Sequence, residues 1–149
     1  MRFKDVYGQL RLKESLIKAV NGNRLPHALL FHGPQGCGKL AMALALAQYV
    51  NCPHRTEEDS CGECPSCIQM QKLVHPDLHF AFPITRSKDS ITCDNYLAQW
   101  RERVLQSPYF DLGQWEQCIS QDKKQSMIYA NESDEIIKKL NVKSYQSEY

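Results

Sequence analysis

The sequence predicts an α/β fold, a parallel sheet flanked by helices, organised around a phosphate-binding loop. Three observations carry this. A short apolar run, Ala28 to Phe31, reads as a strand. It leads into His32-Gly33-Pro34-Gln35-Gly36-Cys37-Gly38-Lys39-Leu40, which contains the complete spacing G-x-x-x-x-G-K. Leu40 to Val50 then reads as a helix, so the order strand, glycine-rich turn, helix is the one a phosphate loop requires.

In such a loop Gly33, Gly36 and Gly38 let the backbone turn its N–H groups inward, and the helix N-terminus adds its positive end. Lys39 supplies a point charge for β- and γ-phosphates. The cradle formed by Gly33, Pro34, Gln35, Gly36, Cys37, Gly38, Lys39 and Leu40 therefore suits ATP or ADP. The pattern continues with Ser or Thr, whose hydroxyl ligates Mg²⁺, and here that position is Leu40. A hydrocarbon side chain cannot ligate a hard cation, which speaks against Mg²⁺.

Taken in order, Phe3 to Gly8 reads as a lead-in loop. Gln9 to Val20 places Leu12, Leu16, Ile17 and Val20 on one face at a period of about 3.6 residues and predicts an amphipathic helix. Asn21-Gly22-Asn23 ends it with residues that tolerate the left-handed conformation, and Pro26 blocks continuation. The helix after the loop has no polar side chain from Leu40 through Ala47, which predicts burial on several sides.

Cys52 closes that helix, and Cys61-Gly62-Glu63-Cys64-Pro65-Ser66-Cys67 follows an acidic stretch, giving C-x8-C-x2-C-x2-C. Four thiolates can close a tetrahedral shell around Zn²⁺, and C-x2-C turns place successive sulfurs on one side of the chain. A closed shell of this kind is structural. The alternative is four free or disulfide-bonded cysteines. Residues 52–67 are expected to form a zinc-bearing insertion that ties the end of the loop helix to a helix beginning near Pro65. Cys37, Cys93 and Cys118 lack such spacing and read as ordinary small residues.

Ser66 to Leu73 reads as a short helix stopped by His75-Pro76-Asp77, and Leu78 to Phe82 alternates as a second strand ended by Pro83. His75 and His79 read as turn or surface residues rather than ligands or bases, with no partner at a telling spacing. Thr85 to Asp94 reads as a loop, and Asp94 as the cap of a helix through Gln106 carrying Tyr96, Leu97, Trp100, Val104 and Leu105 on one face. Leu112 to Ser120 forms another amphipathic turn around Trp115 and Ile119, and the aromatic stripe reads as a local core before it reads as a docking surface. Gln121 to Gln125 is polar, Met127 to Tyr129 is apolar, and Glu132 to Glu135 leads a helix over Ile136 to Leu140.

Composition sets outer limits. With 42% apolar and 23% charged residues the chain is that of an ordinary globular domain, and a net charge of +1 gives no global attraction to nucleic acid. The longest apolar run, Leu40 to Ala47, falls short of the roughly 20 residues a membrane span needs, and Met1 to Gln9 has no signal-peptide pattern. No membrane role and a cytoplasmic location are expected. Seven cysteines, four of them in one stretch, suit metal binding in a reducing compartment better than a disulfide framework.

Leu25-Pro26-His27-Ala28-Leu29-Leu30-Phe31 before the loop, the cysteine quartet after it, and Met70-Gln71 followed by His75-Pro76-Asp77 together resemble the N-terminal domain of bacterial DNA polymerase III clamp-loader subunits, most nearly the delta prime type. The match covers Phe3 to about Pro83 and resumes at Ser133 to Leu140. The resemblance implies an AAA+ fold of the P-loop NTPase class, in a pentameric machine with other clamp-loader subunits as partners that loads the sliding clamp on primed DNA. It also implies a stator role, in which the subunit completes the ring while its own nucleotide site is degenerate, and Leu40 agrees with that. Gamma and tau motor subunits normally keep Thr there. Residues 88–126, with both tryptophans, have no counterpart in the family pattern and read as a helical insertion of unassigned role. No apolar run followed by Asp-Glu occurs, so residues 1–149 are expected to be a partial AAA+ domain without catalytic residues and without independent ATPase activity. Two alternatives stand beside this reading: an active gamma/tau-type ATPase, and a zinc-bearing interaction module on a P-loop scaffold.

Overall fold

The computed structural model describes residues 1–85, 92–119 and 125–144. These residues fall into two compact units, one holding Met1–Leu78 and one beginning at His79.

In the first unit a 3-10 turn, Phe3–Asp5, replaces the expected lead-in loop. Asp59 holds it in place: its carboxylate accepts the backbone N–H groups of Phe3 and Lys4, both at 3.0 Å. Helix α1 follows at Leu10–Asn21. Its buried side is Leu16 and Val20 with Ile17 half-buried, whereas Leu12, expected on that face, is exposed. The residue that turns left-handed after α1 is Asn23, at φ 50°, and not Gly22, at φ −83°. An asparagine tolerates that region because its short polar side chain bonds locally.

Helix α2, Lys39–Val50, buries Ala41, Met42, Leu44, Ala45, Leu46, Gln48 and Tyr49. The other side, with Leu40, Ala43, Ala47 and Val50, is half-buried, so no face of this uniformly apolar helix is exposed. Gln48 survives in the interior because its amide donates to Ser60 Oγ at 3.0 Å. The Tyr49 ring meets Phe3 at 5.5 Å, and its hydroxyl lies 2.7 Å from the Thr56 carbonyl and 2.9 Å from the Asn21 side-chain amide. Helix α3, Pro65–Gln71, starts with proline in its first turn, where the missing N–H costs nothing, and is capped by the Cys64 sulfur.

The second unit is built on aromatic side chains. Phe82 stacks on Trp100 at 4.3 Å and meets Trp115 edge-on at 5.2 Å, while the two tryptophans meet edge-on at 5.0 Å. Trp115 is 1% exposed, and its indole N–H donates to the Pro83 carbonyl at 2.7 Å. The tryptophans thus form a local core, as their helical spacing suggested. Around them lie a 3-10 turn, Cys93–Tyr96, and helices α4, Leu97–Gln106, α5, Leu112–Ile119, and α6, Ala130–Leu140. Asp111 and Gln114 close a capping box on α5: Asp111 Oδ1 accepts the Gln114 N–H at 2.8 Å, and Gln114 Oε1 accepts the Asp111 N–H at 3.1 Å.

Several expectations are corrected. Asp94 does not cap α4; it sits inside the 3-10 turn, and its carboxylate takes the Lys139 ammonium at 2.6 and 2.8 Å. Helix α6 starts at Ala130, six residues earlier than its acidic cluster suggested, so Glu132 lies in its first turn, where its buried carboxylate accepts the Cys93 N–H at 2.6 Å. Most of the Thr85 to Asp94 loop and of the polar Gln121 to Gln125 stretch lies outside the described residues.

The parallel sheet is the largest correction. Among the described residues there is no strand, only an isolated antiparallel bridge between Ile84 and Met127. Ala28 to Phe31 and Leu78 to Phe82 form no ladder. A strand exists only through a neighbour that exchanges N–H and C=O bonds with it, and no described segment does so for either run. Leu30 is accordingly 91% exposed. No helix among the described residues is long and apolar enough to cross a membrane.

Replacing Trp115 with alanine removes the centre of the aromatic core and leaves a cavity, so a loss of about 3–5 kcal/mol is expected. Guanidinium unfolding followed by Trp100 fluorescence measures it.

Candidate phosphate loop and cysteine centre

The loop before α2 needs glycine at defined places. Gly36 and Gly38 have φ 74° and 85°, a region that costs any other L-residue strain. Gly33, at φ 155°, is likewise in a conformation L side chains rarely adopt, and a Cβ there would meet the Cys37 sulfur at 2.9 Å. Gly38 is the cap residue of α2, and Lys39 is the first helical residue. The Lys39 ammonium folds back over the loop and donates to the carbonyls of Gly33 at 2.9 Å and Pro34 at 2.6 Å. It also lies 3.8 Å from the Cys37 sulfur. An incoming phosphate therefore competes with the loop's own carbonyls for this lysine. Pro34, Gln35 and Gly36 are exposed, whereas Lys39 and Leu40 are half-buried. Leu40 offers no oxygen at the position after the lysine.

Cys52, just beyond α2, and Cys61, Cys64 and Cys67, at the start of α3, converge so that all four sulfurs lie within 4.8 Å of one another. None is in a disulfide. Cys52 and Cys61 are 3.6 Å apart, and Cys61 and Cys67 3.8 Å. A Zn–S bond of about 2.3 Å places the corners of a tetrahedron about 3.8 Å apart. The Cys52–Cys61 and Cys61–Cys67 pairs therefore already stand at the edge length of a tetrahedral thiolate shell, far outside the roughly 2.05 Å of a disulfide.

The backbone supports the same arrangement. The N–H groups of Cys61, Cys64 and Cys67 donate to the sulfurs of Cys52, Cys61 and Cys64, each at 3.4 Å. Such donors favour the thiolate form that a metal needs. Backbone donation from Glu63, reinforced by Cys64, lowers the Cys61 thiol to about 6, while burial raises Cys52 and Cys67. The four residues can hold a metal ion, and a shell of four thiolates leaves no position open for water.

His75 and Ser66 are residues whose role the spacing did not reveal. His75 is buried, and its Nδ1 accepts the Asp77 N–H at 3.2 Å. The proton of the neutral ring is then on Nε2, which donates to Ser66 Oγ at 3.1 Å, while the serine hydroxyl donates to the Asn51 carbonyl at 2.7 Å. A serine whose proton is already committed, beside a histidine that is itself a donor, is no activated nucleophile. The chain of bonds instead pins α3 to the end of α2. Ser66, inside the cysteine turn, and His75-Pro76, at its exit, were the available signals. Gln71 adds a bond from its amide to the Gly62 carbonyl at 2.8 Å. Among the described residues the metal-binding cluster holds only the quartet, and burial pushes the Cys93 thiol up to about 11.

The model of one protein family, described as "DNA polymerase III, delta subunit", matches residues 8–149, nearly the whole chain. The chain belongs to this family. The clamp-loader resemblance borne by the loop and the cysteine quartet therefore stands. Among curated relatives, the chain is 39% identical over 75 residues to DNA polymerase III subunit delta' of Bacillus subtilis, covering 50% of this chain and 22% of that protein. It is 41% identical over 66 residues to DNA polymerase III subunit tau of the same organism, covering 44% and 12%. Over 76 residues it is 42% identical to DNA polymerase III subunit tau/gamma of Haemophilus influenzae, covering 51% and 11%. The matched stretches thus amount to less than a quarter of these relatives' lengths. No solved structure matches.

Replacing Cys67, whose sulfur is fully buried in the quartet, with serine is expected to abolish tight metal retention and lower the melting temperature. Cys118→Ser, at an exposed position outside the quartet, is expected to leave both unchanged. Metal analysis and thermal denaturation of the two variants check this.

Proposed function

We propose that this chain is part of a stator-like, non-catalytic subunit of the DNA polymerase III clamp loader, helping to load the sliding clamp on primed DNA in the cytoplasm. The observation that carries this reading is Leu40, which stands where a phosphate-loop ATPase places the hydroxyl that ligates Mg²⁺. The cradle Gly33 to Lys39 keeps the donors for a phosphate, so ATP or ADP binds there without turnover. Other clamp-loader subunits are its partners in a hetero-oligomer, and it reaches the clamp and DNA through that complex.

In this reading residues 1–149 belong to an AAA+ nucleotide-binding domain. Residues 52–67 are its zinc-bearing insertion and residues 88–126 a helical one. Zinc is the metal because four thiolates at tetrahedral spacing suit it and leave no open site. Its ligands are Cys52, Cys61, Cys64 and Cys67, and when bound it supplies a rigid cross-link between the end of α2 and the start of α3.

A second reading, an active gamma/tau-type ATPase, draws on the identity to subunits of those names. Calorimetric titration of the full-length protein with ATP, with and without Mg²⁺, separates the two. The expected outcome is nucleotide binding that Mg²⁺ does not strengthen, with no turnover, and Leu40→Thr is expected to introduce Mg²⁺ dependence. Mg²⁺-dependent binding with hydrolysis by the parent protein would show that the subunit is a motor.

A further inference from the structure

The four sulfurs are not equally placed. Cys52 and Cys67 are fully buried and Cys64 nearly so, whereas Cys61 is only partly covered. An oxidant arriving from solvent therefore meets the Cys61 sulfur first. The Cys52 sulfur stands 3.6 Å from it, the Cys67 sulfur slightly farther off at 3.8 Å, and the Cys64 sulfur within 4.8 Å. The stretch between Cys52 and Cys61 exposes His54, Glu57 and Glu58, and although Thr56, Asp59 and Ser60 tie it to Tyr49, the Phe3 turn and Gln48, it forms no helix that closing the two sulfurs to bonding distance would disturb. Cys64 and Cys67 are differently held: Cys64 caps α3 and Cys67 lies within it, so moving either disturbs a helix.

We propose that Cys61 and Cys52 form an oxidative modification site, at which a peroxide converts the pair to a disulfide and releases the bound zinc. The proposal rests on the zinc reading given above. In the first step the Cys61 thiolate attacks one peroxide oxygen, the O–O bond breaks, and Cys61 becomes a sulfenic acid as hydroxide leaves. In the second step the Cys52 thiolate attacks that sulfur, the S–S bond forms and a second hydroxide leaves. Two thiolates give up two electrons and hydrogen peroxide takes them, so no further reagent is needed. Only Cys64 and Cys67 then remain as ligands, too few to close a tetrahedral shell. The cross-link between α2 and α3 is thereby exchanged for one confined to the Cys52 to Cys61 loop.

The test treats the full-length protein with hydrogen peroxide while a chromogenic chelator reports free zinc, and maps disulfides by mass spectrometry after alkylation of the remaining thiols. The expected result is release of about one zinc per chain in step with a Cys52–Cys61 disulfide, reversed by dithiothreitol with added zinc. Cys118→Ser, lacking an exposed thiol outside the quartet, is expected to release zinc at the parent rate. Zinc retained under peroxide, or released with a Cys64–Cys67 bond or with Cys61 still open to alkylation, would overturn the proposal. Metal analysis before treatment tests the zinc reading separately: a protein isolated without zinc contradicts that reading, and the disulfide map alone then decides whether Cys61 pairs with Cys52.

Discussion

The burial of helix α2, which leaves none of its faces exposed, is the constraint on which the first unit depends. A helix with no polar face in its first two turns has no stable orientation at a surface, so α1, α3 and the turn at Phe3 must close around it. Two polar side chains near its far end are answered: Gln48 by Ser60, and Tyr49 by Thr56 and Asn21. With the helix fixed in this way, its two ends become fixed points. One carries Gly38 and Lys39 and aims the loop; the other delivers Cys52 to the three cysteines at the start of α3.

The two ends differ in chemical completeness. At the cysteine end, the sulfur separations, the N–H donors to sulfur and the Ser66–His75 brace all favour one outcome, a closed thiolate shell. At the loop end the geometry of an anion cradle persists, but the lysine is engaged with its own loop and the next side chain is a hydrocarbon. A scaffold that keeps its brace while losing the magnesium ligand is suited to holding a shape within a larger assembly. That division links the local chemistry to the stator reading proposed for this member of the DNA polymerase III delta subunit family.

Legibility in the sequence followed the range of the interaction. Helices α1 to α5 were visible because their apolar spacing and breakers are local, and the cysteine quartet was visible because metal ligation imposes a spacing of its own. The strands were misjudged for the opposite reason. Ala28 to Phe31 has the composition of a strand, but pairing depends on a distant segment that composition does not contain. The start of α6 was missed because Tyr129 makes no side-chain cap, and the acidic cluster drew attention to a point already inside the helix. Asp59 was illegible as a structural residue since its partners, the Phe3 and Lys4 amides, lie far along the chain, whereas His75, read as a turn or surface residue, is buried against Ser66 only nine residues before it. The capping box at Asp111 and Gln114 was a local signal that could have been read.

The central claim is that the phosphate loop shapes the subunit without running a catalytic cycle. Substituting Lys39 by alanine in the full-length subunit, and measuring clamp loading by the reconstituted complex on primed DNA, tests it most directly. Loading at the parent rate, with the complex assembled normally, is the predicted result. Loss of loading in a complex that still assembles would contradict it, because the lysine would then be doing the work of a motor site.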